Sequence, residues 1–155
     1  MAMSKPSLVN KKLSEQYPHD YIDDRIKTAM TLVEKNSSAK YLDIGCSNGV
    51  VALEIAKVIG TNDVYGIDIA NIEDAKKRGV KGVEFDLNED NPLPFPDKTF
   101  DIITCFDTLE HIYNTDHIVR EIKRILKDEG YAVIIVPRTD SLINVLLLGS
   151  GYQMM

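Results

Sequence analysis

No stretch of this chain approaches the roughly 18 consecutive apolar residues that a membrane-spanning helix needs; the apolar run around Val145 to Leu148 is far shorter. The opening MAMSKPSLVNKK has no apolar centre of the kind a secretory signal requires. Cysteine is scarce. Cys46 and Cys105 form no CxxC pair, which excludes a disulfide framework and fits a reducing compartment. These absences predict a cytoplasmic protein with no membrane partner. Basic residues are also few: 18 Lys and Arg against 24 Asp and Glu leave a net charge of −6. The nearest basic clusters, Lys76-Lys77-Arg78 and Lys123-Arg124, are short. Binding along a phosphate backbone depends on clustered cations, so nucleic acid is disfavoured and a small-molecule substrate favoured, although a separate partner could supply a basic surface. Repeats and low-complexity segments are missing too.

What remains is a chain of 155 residues, long enough for one domain with a real core and too short for two. Residues 1–20 read as a polar leader, in which Tyr17 and His19 are either a lid over substrate or plain surface residues. Residues 21–34 carry Ile22, Ile26, Ala29, Met30 and Val33 at helical spacing. Strand and helix then alternate. Strands are expected at 40–44, 64–67, 82–85, 100–106 and 131–136, and helices at 50–59, 72–78 and 116–127, several of them stopped by glycine. DIITCF and YAVIIV lack polar alternation, as strands buried on both faces of a parallel sheet do. The repeated βαβ unit predicts an α/β fold with sheet order 3-2-1-4-5 and a ligand beyond the carboxyl ends of the strands, where the order reverses.

The first loop at that end lies within YLDIGCSNGVVALEIAK. Gly45 and Gly49 allow a sharp turn from strand to helix without a Cβ in the way. A glycine-rich turn alone would serve a nicotinamide dinucleotide equally well. The dinucleotide pattern, however, wants a third glycine three residues after the second, and here Gly49 is followed by Val50, Val51 and Ala52. Asp43 also stands just before the turn, where a carboxylate would repel a pyrophosphate and suit a cation. A nicotinamide-dependent oxidoreductase is therefore disfavoured. Asp68 ends the second strand 19 residues beyond Gly49, close to the spacing of an acid that bonds ribose hydroxyls.

With those residues in view, DIGCSNG resembles the DxGxGxG motif of class I S-adenosylmethionine-dependent methyltransferases, Ser47 standing where a middle glycine is usual. VYGID, EFDL, LPFPDKTFDIITCFDTLEHI and ILKDEGYAVIIVP are similar to that family's later motifs, with Asp128-Glu129 replacing a Pro-Gly turn. The resemblance runs from about Lys40 to Arg138. It implies a Rossmann-like, three-layer αβα sandwich and a methyltransferase of the small-molecule type. It also implies that Asp43, Gly45, Cys46, Ser47, Asn48 and Gly49 hold the methionine portion of S-adenosylmethionine, or of its product S-adenosylhomocysteine. Asp68, with Ile69, is implied at the ribose, Asp86 with Leu87 at the adenine, and the backbone near Phe106 at the amino group.

Plainer readings stand beside these. Asp43 could cap the following helix, and Asp86 could be a turn residue. Cys46 and Cys105 read as packing residues, and Lys76 to Arg78 as a solvated helix end. The pair Glu110-His111 is expected to open the helix after strand 4. His111 is a candidate base, the pair is a poor metal site by itself, and a structural hydrogen bond is the simpler use; no metal is expected. After strand 5 the family's usual strands 6 and 7 are expected to be absent, with residues 139–155 an apolar C-terminal helix and the chain a truncated form. The strand-5 edge would then need a cover, from residues 141–148 or from a second subunit, giving a homodimer through that edge or through the C-terminal helix. Two functions follow: methyl transfer to a small acceptor by in-line displacement, or a non-catalytic subunit or sensor that only binds the cofactor.

Overall fold

The computed structural model describes residues 22–137 and 144–149. Six strands form one sheet: β1 (Lys40–Ile44), β2 (Asp63–Asp68), β3 (Lys81–Glu84), β4 (Phe100–Phe106), β5 (Leu126–Val136) and β6 (Asn144–Gly149). Their order is β3-β2-β1-β4-β5-β6. The first five run parallel and β6 pairs antiparallel with β5. Helices α1 (Asp24–Met30), α2 (Val50–Ile59), α3 (Ile72–Lys77) and α4 (Thr115–Ile125) cover the faces. Among the described residues no helix is long and apolar enough to cross a membrane.

The alternation of side chains along each strand divides the apolar residues into two cores. Tyr41, Ile102, Val133 and Ile135 pack with Ile26 and Ala29 of α1, Ile55 and Ile59 of α2, and Ile72 and Ala75 of α3. Leu42, Ile44, Ile103, Cys105 and Ile134 turn the other way, onto Ile118, Ile122 and Ile125 of α4. Those three isoleucines are fully buried, each stabilising the fold by about 1.5–3 kcal/mol relative to exposure. The expected three-layer sandwich and the order 3-2-1-4-5 are what the chain adopts.

Differences lie in the second half. Helix α4 ends at Ile125 because Leu126 already pairs with Phe100, and the register then slips so that Tyr131 faces Ile102. Gly130 lies in that irregular stretch, where a Cβ would come within 2.9 Å of the Asp101 carbonyl. Glu110 and His111 belong to a separate 3-10 turn, Leu109–His111, and not to the helix after β4. The apolar helix expected over 139–155 is corrected at Asn144–Gly149, which forms β6, so a strand does follow β5. The physical reason is the β5 edge. Residues 131–136 would present unpaired N–H and C=O groups along an apolar strand, and each of them has a β6 residue opposite. That pairing removes the edge on which a second subunit was expected. The leader, with Tyr17 and His19, lies outside the described residues.

Candidate functional site

Residues 45–49 turn the chain from β1 into α2 at the carboxyl end of the sheet. Gly45, Ser47 and Gly49 all have positive φ, at 80°, 45° and 81°. The Gly45 and Cys46 amides donate to the Ile67 carbonyl at 2.8 and 3.3 Å, and the Gly49 amide to the Cys46 carbonyl at 2.8 Å. Space is as limiting as conformation. A Cβ on Gly45 would collide with Thr108 Oγ1, and one on Gly49 would lie 2.9 Å from Val80. Gly66, inside β2, leaves room for the Cys46 side chain, whose Sγ would be 2.6 Å from a Cβ there. Cys46 and Cys105 are buried, and burial pushes both thiols well above their ordinary range. Asn48 is buried and its Oδ1 accepts from the Val50 amide at 3.2 Å.

Two carboxylates flank the turn. Asp68 is buried, and its Oδ2 accepts from the Ser47 amide at 2.8 Å while its Oδ1 accepts from the Ala70 amide at 2.9 Å. The acid is thereby fixed to the turn and to the segment after β2, beside half-buried Ile69. Asp43 is buried in β1 and faces Thr104 of β4 in register. Thr104 Oγ1 donates to Asp43 Oδ1 at 2.5 Å and pairs with the Tyr41 hydroxyl at 2.6 Å. Burial, with the nearby Asp68 charge adding to it, pushes the Asp43 carboxyl up to about 7 against the Thr104 bond. The capping reading of Asp43 does not hold: Gly49 is the N-cap of α2 and no side chain bonds there.

The loops after β3 and β4 complete the rim. Asp86 Oδ1 accepts from the Asn88 amide at 3.0 Å, the turn role weighed for it, and Leu87 is half-buried beside it. Phe106 ends β4 half-buried. Asp107 follows with φ of 46° and accepts two bonds from Arg25 of α1, at 2.7 and 2.8 Å. Asp23, the N-cap of α1, accepts from the same guanidinium at 2.8 and 2.6 Å. Thr108 Oγ1 bonds the Phe106 carbonyl at 2.8 Å and occupies the space left by Gly45. His111 is exposed, while partial burial raises the neighbouring Glu110 carboxyl. Among the described residues no cluster of three or more metal-ligating side chains forms.

The structure thus ties the 45–49 turn to Asp68 and Ile67 by hydrogen bonds, buries Asp43 nearby against Thr104, and sets Phe106 at the end of β4 with Asp86 and His111 on the loops beyond. Tyr41, Thr104, Arg25 and Asp107 were not singled out from the sequence. Thr104 carried a signal, being a fully buried polar residue within the apolar run IITCF of β4, where a partner is obligatory.

Sheet order, glycine turn and buried acids together define a Rossmann-like domain of the class I S-adenosylmethionine-dependent methyltransferase kind. Residues 35–148 match the family described as a methyltransferase domain, and the chain belongs to that family. The chain is 33% identical over 116 residues to the uncharacterized methyltransferase YcgJ of Bacillus subtilis, covering 71% of this chain and 44% of that protein. It is 30% identical over 143 residues to 27-O-demethylrifamycin SV methyltransferase of Amycolatopsis mediterranei, covering 79% of this chain and 52% of that protein. The crystal structure of YcgJ superposes with a TM-score of 0.63 at 27% identity, over 72% of this chain and 49% of that one. The chain therefore spans about half the length of these relatives.

Proposed function

We propose that this domain binds S-adenosylmethionine at the carboxyl ends of β1, β2 and β3 and directs its methyl group to a small-molecule acceptor. The observation that carries the reading is the buried unit of Asp43, the 45–49 turn and Asp68. It supplies backbone that a ligand can approach closely, because Gly45 and Gly49 have no Cβ, and two carboxylates suited to a cationic nucleoside amino acid. Asp68 is assigned to the ribose hydroxyls, Asp86 with Leu87 to the adenine, the 45–49 turn to the methionine portion and the backbone near Phe106 to the amino group.

The bound sulfonium supplies an electrophilic methyl group for in-line displacement. The work of the chain is positioning, worth about 7–11 kcal/mol in favourable cases, against about 3–5 kcal/mol from a general base. His111, exposed on the turn beyond β4, is the candidate to accept a proton from a hydroxyl acceptor. The rifamycin relative, whose name places its methyl group on an oxygen of a small molecule, supports that acceptor class.

Calorimetry with S-adenosylhomocysteine and, separately, NAD tests the reading. Micromolar binding of the first and none of the second is expected. Asp68→Ala is expected to weaken binding about a hundredfold or more, since hydrogen bonds to a charged group contribute about 1.5–3 kcal/mol each, with the far-ultraviolet circular dichroism retained. Unchanged affinity would remove Asp68 from the site.

A further inference from the structure

Strands β3 and β4 are separated in the sheet by β2 and β1, yet the loops that follow them are sewn together. Asn88 Nδ2 donates to the His111 carbonyl at 3.3 Å, and the Tyr113 amide donates to Asn88 Oδ1 at 2.8 Å. Further along, Asn114 Nδ2 donates to Asp90 Oδ1 at 2.8 Å, and His117 Nε2 to the Asn91 carbonyl at 3.0 Å. Asn114 is also the N-cap of α4, accepting from the His117 amide. Each of these bonds uses a side chain, so the seam can part without unravelling a strand or helix.

Asn88 holds the special place in this seam. Its own amide is bound by Asp86 Oδ1, and its carboxamide grips the backbone on both sides of Ile112. A carboxamide can accept from an amide and donate to a carbonyl at once, which neither a carboxylate nor a hydroxyl of similar reach reproduces in this geometry. Asp86 and His111, the residues assigned to opposite ends of the reacting pair, are therefore joined through one intermediate residue. Tyr113, held by the same carboxamide, is 75% exposed, an aromatic ring at the rim where an acceptor would arrive.

We propose that Asn88 is a positioning residue that carries the filling of the nucleoside side of the site, at Asp86, to the turn bearing His111 and Tyr113. Ordering Asp86 against a ligand fixes the Asn88 backbone, and the Asn88 side chain then restrains the acceptor-side turn. This inference rests on the cofactor reading above.

Hydrogen exchange read by mass spectrometry on the full chain, with and without S-adenosylhomocysteine, tests both and separates them. In the wild type, saturation is expected to slow exchange at 45–49 and 68–70, and also at 109–114. In Asn88→Ala the first two segments keep their protection, whereas protection at 109–114 falls about 2- to 10-fold, the effect of losing a hydrogen bond worth about 0.5–1.5 kcal/mol. Asn88→Asp, which retains an acceptor for the Tyr113 amide and loses the donor to His111, is expected to fall between. A purely structural role would lower protection at 109–114 equally with and without ligand. Undiminished ligand-induced protection there in Asn88→Ala, or none there in the wild type while 45–49 is protected, would overturn the inference. Failure of the nucleoside to protect 45–49 and 68–70 would overturn the cofactor reading and the inference with it.

Discussion

Glycines with positive φ occur at both ends of this sheet, and they are there for different reasons. At the end away from the site, Gly60 and Gly79 have φ of 83° and 103°, and a Cβ at either would meet nothing within 4 Å. At the site end, Gly45 has a φ of 80° and its missing Cβ makes room for Thr108. The same site end holds Ser47, Asn71 and Asp107 in left-handed conformations and buries Asp43 and Asp68. One end uses glycine to end a helix. The other concentrates strain, buried charge and close backbone approach, the features that cluster where ligands bind.

The comparison is broken most severely by placing the same methyl group at each end. Gly45→Ala is expected to lose on the order of 3 kcal/mol or more, combining left-handed backbone with overpacking, whereas Gly60→Ala loses about 1 kcal/mol. Urea denaturation of the two variants measures the gap, and equal losses would show that space does not matter at the turn.

A smaller effect, specific to the buried acid, comes from pH. Asp43 holds its proton up to about 7 in the folded chain and releases it near 3.9 when unfolded. Between those values the native state binds more protons, so this group's contribution to stability falls as pH rises from about 4 to 7 and is then constant. Asp23 and Asp101, where hydrogen bonds outweigh partial burial, and Glu121, held by Arg124, are lowered and act in the opposite sense at lower pH. The difference between wild type and Asp43→Asn isolates the term. The variant is expected to gain on the order of a few kcal/mol relative to wild type between pH 5 and pH 8. Parallel pH profiles would refute the raised carboxyl.

The smallest expected effect is at Ser47. Glycine there would relieve a left-handed residue, by about 1–2 kcal/mol. It would also lose the 3.2 Å bond from Asn71 Nδ2 to Ser47 Oγ, worth about 0.5–1.5 kcal/mol, and loosen the unfolded chain by about 0.5–1 kcal/mol. Ser47→Gly should therefore shift the melting temperature by only a few degrees, in contrast to Gly45→Ala two residues away.

Legibility in the sequence follows the same division. The bounds of β1, α2 and β4 coincide with those read from apolar pattern and glycine stops, because each is a strong local signal flanked by breakers. The turn and its acids were legible through spacing. What was not legible is what depends on partners distant in the chain. Val145 to Leu148 is too short for its periodicity to separate helix from strand, and the β5 edge decides. Thr104 meets Asp43 only because β4 lies beside β1, and the positive φ of Asp107 accompanies Arg25, 82 residues away. Asn88 gave no signal, since its partners become neighbours only after the sheet is complete.

The antiparallel partner of β5 has a kinetic meaning. Val136 and Asn144, which pair there, are close in the chain, whereas the β1 and β4 partners Tyr41 and Ile102 are 61 residues apart. Closing the longer loop costs about 2 kcal/mol more in chain entropy. The apolar border of β5 can pair early and cheaply with its near neighbour in the chain, while the costlier long-distance closure is the one that brings Thr104 to Asp43.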